Sequence, residues 1–320
     1  MRLPRFLAST ALVAAFAAFS LAAPAAHADP ASCSAVRMST PGWSDIESTN
    51  SVAGLLLQGL GYKQDIKTLS VPITFQALSD KQIDVFLGNW MPAQGHFTKP
   101  LIAAGKIVVL HQNLAGAKYT LAVPSYVAAA GVTSLADLGA HAQQFGHKIY
   151  GIDAGSPGNA NIQKAIDNPA LKLAGWKVVP SSEQGMLAEV KRDVAQKRWI
   201  VFLGWEPHPM NTEFHLTYLS GGDAYFGPNF GGATVNTVTR AGFPQQCPNL
   251  ARLFNQLTFT VDGENKMMAA IDLDHQSGPQ TAEDYIKAHP DLLTGWLQGV
   301  TTLDGKPGLP AVKSSLGITP

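Results

Sequence analysis

Cysteine is nearly absent from this chain: two in 320 residues. Cys33 and Cys247 form neither a CxxC redox motif nor a metal-ligand pair, and two cysteines exclude a disulfide-dense scaffold. Charge is sparse too, at 14% of residues, and neither sign dominates, with 23 Lys and Arg against 23 Asp and Glu. A nucleic-acid binder would show a basic field, and none exists here. No run of like charges marks an interaction tail. Beyond the N-terminus, no stretch reaches the roughly 18 apolar residues needed to span a bilayer. What is present reads as globular: 46% hydrophobic residues, 30 Gly, 21 Pro and six Trp. The length suggests about two domains on a ~150-residue prior. It suffices for a large core without a structural metal.

The N-terminus reads as an export signal. Arg2 and Arg5 form a positive region, Phe6 to Ala23 is apolar, and Ala26-His27-Ala28 is a small-x-small cleavage site. Residues 1–28 are expected to be removed, leaving an exported mature chain from Asp29. Losing Arg2 and Arg5 turns the balanced charge into −2. In an oxidising compartment Cys33 and Cys247 are expected to pair, tying the two ends of the chain into one domain.

Short apolar runs alternate with helical patterns. Val36–Met38, Ser70–Phe75, Ile83–Leu87, Ile107–Leu110, Thr120–Val123, Lys148–Ile152 and Trp199–Leu203 read as strands. Ser51–Tyr62, Leu135–Leu138, Ala160–Asp167, Gln184–Gln196, Leu250–Leu257 and Ala282–Trp296 read as helices. The alternation implies an α/β architecture with mostly parallel sheets.

One internal echo stands out. Val85-Phe86-Leu87-Gly88-Asn89-Trp90-Met91-Pro92 matches Val201-Phe202-Leu203-Gly204-Trp205-Glu206-Pro207. Each is a buried strand ending in Gly, then Trp, then a Pro turn. Ligands of open α/β sheets collect outside the carboxyl ends of strands. Trp43 follows the first strand in Thr40-Pro41-Gly42-Trp43-Ser44-Asp45, and Tyr119 opens another strand. Ring faces around a small space form a cage for a quaternary ammonium, which donates no hydrogen bonds, at ~0.5–2 kcal/mol per desolvated face. Asp45 is the nearest counter-charge, with Glu206 a weaker one. Trp176, Trp199 and Trp296 sit in regular patterns and read as core. Composition alone leaves Tyr119 open between the two roles.

Pro41-Gly42-Trp43-Ser44-Asp45-Ile46, Leu87-Gly88-Asn89-Trp90-Met91-Pro92, Gly116-Ala117-Lys118-Tyr119-Thr120-Leu121 and Phe202-Leu203-Gly204-Trp205-Glu206-Pro207-His208 resemble the choline-binding members of the periplasmic substrate-binding family for glycine betaine, proline betaine and choline. Gly227-Pro228-Asn229-Phe230-Gly231-Gly232 and Cys247-Pro248-Asn249 are similar too, so the resemblance covers essentially the whole mature chain. It implies a two-lobed periplasmic binding protein (type II-like) with the ligand cleft between lobes joined by two crossing strands. Residues 29–111 plus 212–320 would form lobe A and 112–211 lobe B. It also implies a monomer without cofactor or metal that hands choline to an ABC permease in the inner membrane. Trp43 and Trp90 from one lobe and Tyr119 and Trp205 from the other would form the cage. Asp45 would meet the choline hydroxyl and balance the charge.

One position departs. The family pattern has Asn where this chain has Ser156, in Ile152-Asp153-Ala154-Gly155-Ser156-Pro157-Gly158. Serine keeps a hydrogen-bonding group but is shorter, which bears on ligand ranking. Pro157 removes a backbone donor and Asp45 would repel a ligand carboxylate, so both favour choline over glycine betaine. Preference for glycine betaine, proline betaine, carnitine or acetylcholine is the alternative. A distant one is a serine hydrolase using Ser156 in a degenerate nucleophile elbow. Its oxyanion hole would need the N–H of the next residue, and Pro157 has none. The Gly-rich stretches fit no nucleotide motif. His111, His208 and His215 lack metal-ligand spacing and read as surface or core residues.

Overall fold

The computed structural model describes residues 28–319. Of the expected signal peptide, residues 1–28, all but the last lie outside the described residues. Nine strands form one sheet: β1 (Ala35–Thr40), β2 (Lys63–Thr68), β3 (Val85–Met91), β4 (Ile107–Pro124), β5 (Lys148–Tyr150), β6 (Lys177–Val179), β7 (Phe202–Glu206), β8 (Leu216–Tyr218) and β9 (Gly232–Arg240). Their order is β2-β1-β3-β9-β4-β7-β5-β6, with β8 paired to β4 off this path. The α/β class is as expected.

The order is nearly symmetric. β2-β1-β3 is parallel and closes on antiparallel β9, while β6-β5-β7 is parallel and closes on antiparallel β4. The two echoing segments are therefore the equivalent strands β3 and β7. Both are buried on both faces, which explains their unbroken apolar runs. Both are followed by a cis proline, Pro92 and Pro207. The long β4 pairs with β9 from Ile107 to Lys118 and with β7 from Lys118 to Ala122. Pairings around β4 and β9 are antiparallel, so the sheet is mixed rather than mostly parallel.

Local differences have local causes. Ser70–Phe75 is not a strand but the start of helix Val71–Ser79. Its β-branched residues suggest a strand, yet Ser70 precedes the first turn and Pro72 lies within it, a helix-start pattern. Val71, Thr74, Phe75 and Leu78 are buried at helical spacing while Ile73 is exposed. Helix Ser44–Gly59 begins seven residues before the apolar stripe at Ser51, because its first turn faces polar partners. β2 and β9 escape the pattern: β2 is a charged edge strand, and β9 mixes Thr and Asn with Val although Thr237 and Thr239 are fully buried. Ala282–Trp296 divides into helices Gly278–Ala288 and Leu292–Trp296.

The two ends of the chain share one region. Cys33 and Cys247 form the expected disulfide, with Cα atoms 5.9 Å apart. The Asp29 carboxylate accepts the backbone N–H groups of Asn249 and Leu250 at 2.8 and 3.0 Å. It thereby caps the donors that open helix Pro248–Gln256. Trp176 packs on Phe145 and Trp296 on Phe259, and Trp199 lies beside Phe145, as expected of fold-building rings. No helix among the described residues is long and apolar enough to cross a membrane.

Candidate functional site

Four elements deliver the aromatic residues. Pro41-Gly42 turns the chain after β1, with Gly42 at φ +90°, and sets Trp43 in extended conformation just before helix Ser44–Gly59. Trp90 lies near the carboxyl end of β3 and Trp205 near that of β7. Tyr119 of β4 pairs directly with Trp205, so their side chains share one face of the sheet. Gly158 admits the Tyr119 ring: a Cβ there would lie 2.7 Å from its Oη. Gly231, at φ +71°, presses against the Tyr119 backbone, where a Cβ would lie 1.8 Å from the carbonyl oxygen.

These residues bound one small cavity. Trp43, Trp90, Tyr119 and Trp205 line it with Asp45. Ala93, Gln94, Ile152, Pro157 and Gly158 complete the wall, to which no Lys or Arg among the described residues contributes. All four rings are buried, at 6–9% exposure. Phe226 packs edge-on against Tyr119 and His208 against Trp205, which braces both rings from behind.

The indole N–H groups are held by carboxylates. Trp90 Nε1 donates to Asp45 Oδ2 at 2.9 Å, and Trp43 Nε1 donates to Asp153 Oδ1 at 2.9 Å. Asp45 Oδ1 and Asp153 Oδ2 are buried without a hydrogen-bond partner among the described residues. Burial raises the Asp45 carboxyl to about 7, helped by the nearby Glu183 carboxylate. Burial also raises Asp153, and drives the Glu264 carboxyl well up beside Asp45. The phenol of Tyr119 is likewise pushed up by burial, with the Asn161 side chain opposing the shift. The cavity is thus mostly apolar ring surface with the Asp45 carboxyl in its wall. It suits a small cationic group with no donors of its own.

The remaining sequence expectations divide. Ser156 is buried, but its hydroxyl caps helix Pro157–Asp167 by accepting the Asn159 N–H at 3.2 Å. The cavity wall begins with its neighbours Pro157 and Gly158. Glu206 is not a cavity residue: it pairs with Lys118 at 3.1 Å and alternates away from Trp205. Asp153 was legible only as an acid in a loop. Its bond to Trp43 spans 110 positions, which no local spacing reveals.

His208 proves to be buried with Glu183 and Asp272, one ligand atom of each lying within 4.8 Å of the others. That is the geometry of a metal triad, but the ring's hydrogen bonds oppose it. The Met210 backbone N–H donates to His208 Nδ1 at 3.0 Å. The ring proton therefore belongs on Nε2, the atom facing the carboxylates, where a metal would need a lone pair.

Residues 34–288 match the family model described as the substrate binding domain of the ABC-type glycine betaine transport system. A solved structure of an ABC-transporter choline-binding protein in complex with choline is 47% identical, with a TM-score of 0.88 over 90% of this chain and 100% of that one. The unliganded, semi-closed structure of an ABC-transporter choline-binding protein is also 47% identical over the same shares, with a TM-score of 0.83. The glycine betaine/carnitine transport binding protein GbuC of Listeria monocytogenes is 29% identical over 169 residues, which cover 53% of this chain and 54% of that protein.

Proposed function

The chain belongs to the substrate-binding domain family of ABC-type glycine betaine transport systems, and on that premise we propose that it captures choline between four aromatic faces and hands it to a membrane permease. It is a substrate-binding protein of an ABC transporter, a family that works outside the cytoplasm. The observation that carries the choline reading is the convergence of Trp43, Trp90, Tyr119 and Trp205 on one cavity with Asp45 and without Lys or Arg. The trimethylammonium group would rest on the ring faces, attracted by their negative quadrupoles and by dispersion. Asp45 Oδ1, buried and unpartnered, would balance the charge or accept the choline hydroxyl. A betaine carboxylate would meet the acidic Asp45 instead of a cationic donor. The choline complex of a 47% identical protein supports this reading.

The proposed lobes follow the sheet. Residues 29–111 and the C-terminal segment form one, the intervening segment the other, with β4 and β9 as the crossing strands. The pairing of β8 with Ala122–Pro124 of β4 supports counting Leu216–Tyr218 with the second lobe. Export by a cleaved leader in residues 1–28 is part of the same proposal. The hydrolase alternative has no support: Ser156 is engaged as a helix cap and Pro157 offers no oxyanion donor. Calorimetric titration with choline, acetylcholine, glycine betaine and carnitine tests the proposal. Choline should bind most tightly, and tight betaine binding without choline binding would overturn it.

A further inference from the structure

Beside the cavity lies a buried polar knot whose residues are not part of its wall. Glu183 opens helix Glu183–Ala195, and its side chain is fully buried. Its Oε1 accepts the Ser44 hydroxyl at 2.6 Å and the Ser44 backbone N–H at 3.2 Å. The same oxygen lies 3.4 Å from His208 Nε2, and Asp272 Oδ2 lies 3.6 Å from that nitrogen. Glu183 Oε2 has no partner among the described residues.

The position of this contact matters. Ser44 stands between Trp43 and Asp45, in the turn that brings both to the cavity. Its helix follows β1, whereas Glu183 follows β6 at the far edge of the sheet, 139 residues away. Gln184 adds a second bond across the same junction, donating to the Gly42 carbonyl at 3.4 Å. His208 meanwhile packs edge-on against Trp205, with ring centroids 4.9 Å apart. One knot therefore touches the supports of three cavity residues from both halves of the sheet.

Such a knot is costly. Glu183 faces the acidic groups of Asp45, Asp153 and Asp272, with Glu47 beside Asp272, Glu264 beside Asp45, and His208 as the one basic side chain. A buried carboxylate that makes only neutral bonds is a poor way to stabilise a fold. It becomes useful if a cation arrives beside it.

We infer that Glu183 is a positioning residue for ligand capture: by holding both donors of Ser44 it fixes the Trp43–Asp45 turn against the opposite half of the sheet and keeps the cleft shut around a bound cation. The inference rests on the quaternary-ammonium reading above. Without the cation, repulsion between Glu183 and Asp45, once Asp45 is ionised, favours opening. With it, the charge beside Asp45 offsets that repulsion, so closure and occupancy reinforce each other.

The test uses the full mature chain, choline as probe and stopped-flow Trp fluorescence, across about pH 5.5 to about 8.5. Glu183→Ala and Ser44→Ala should each speed choline dissociation about tenfold, the scale of a lost charged hydrogen bond, with association little changed. The double variant should be no worse than Glu183→Ala alone. Glu183→Gln keeps an acceptor for Ser44, so it should restore slow dissociation. It also removes the charge facing Asp45, so the pH midpoint of binding should fall. A folded Glu183→Ala with wild-type dissociation, or an unmoved midpoint in Glu183→Gln, would overturn the inference. If Glu183→Ala does not fold, Ser44→Ala and Glu183→Gln decide it. Wild-type protein that binds neither choline nor betaine would overturn the quaternary-ammonium reading instead.

Discussion

Trp43 donates its indole N–H to Asp153 at 2.9 Å, and this bond joins the turn after β1 to the loop after β5, on opposite halves of the sheet. The ring is thus oriented only when the two halves are together. Asp153→Ala should weaken choline binding by about 1.5 kcal/mol, roughly tenfold, because it strands a buried indole donor and frees the ring. Asp153→Asn keeps an acceptor and should lose less. Titration calorimetry on both variants checks this, and an unchanged Asp153→Ala would show that Trp43 is oriented without it.

The ring faces themselves should dominate affinity. Trp90→Ala and Trp205→Ala should each cost at least ~1 kcal/mol of choline binding, and choline should quench or shift the Trp fluorescence of the wild type. Unchanged affinity in both variants would remove these rings from the proposed cage.

How much of this was legible in the sequence depended on the reach of each interaction. β3 and β7 could be read because both are buried strands that end in Gly, Trp and Pro within eight residues. Their topological equivalence then gives the repeat its meaning. Ser70–Phe75 misled because β-branched composition outweighed a helix start at Ser70 and Pro72. β9 was invisible because buried Thr237 and Thr239 look like surface residues until their strand neighbours are known. The carboxylates behind the rings escaped for the same reason. Asp153 and Glu183 act on Trp43 and Ser44, 110 and 139 positions away. A sequence shows that an acid exists, not which indole it holds.

The disulfide should matter for stability more than for binding. It closes a loop with a sequence separation of 214 and lies away from the cavity-lining residues. Replacing Cys33 and Cys247 together by Ser should lower unfolding free energy by about 2–4 kcal/mol in denaturant titration. Choline affinity, measured well below the melting transition, should stay within about twofold.

Gly158 offers a steric test of the cavity. An added Cβ would lie 2.7 Å from Tyr119 Oη and 2.6 Å from Leu203 Cδ2. Gly158→Ala should displace the Tyr119 ring and weaken choline binding by about 1 kcal/mol or more, since overpacking a filled site costs about 1–3 kcal/mol. Titrating the variant reads this directly, and wild-type affinity would mean that Tyr119 can shift without loss.

Asp45 should make binding pH-dependent, and the sign can be worked out. In the ligand-free fold burial raises its carboxyl from 3.8 to about 7. Between those values the folded state holds a proton that the unfolded chain has released. The Asp45 contribution to stability therefore falls as pH rises through this window. Asp272, raised to about 6 mainly by burial, acts in the same direction. A cation beside Asp45 favours the ionised form, so choline binding below about pH 7 must expel the proton. Choline affinity should rise with pH up to about 7 and level off above it, and ligand-induced thermal stabilisation should grow over the same range. Calorimetry in buffers of different ionisation enthalpy should detect about one released proton near pH 6 and none near pH 8. Asp45→Asn should bind choline more weakly at high pH and with a flatter profile. A wild-type affinity that is independent of pH would mean that the Asp45 carboxyl does not face the bound charge.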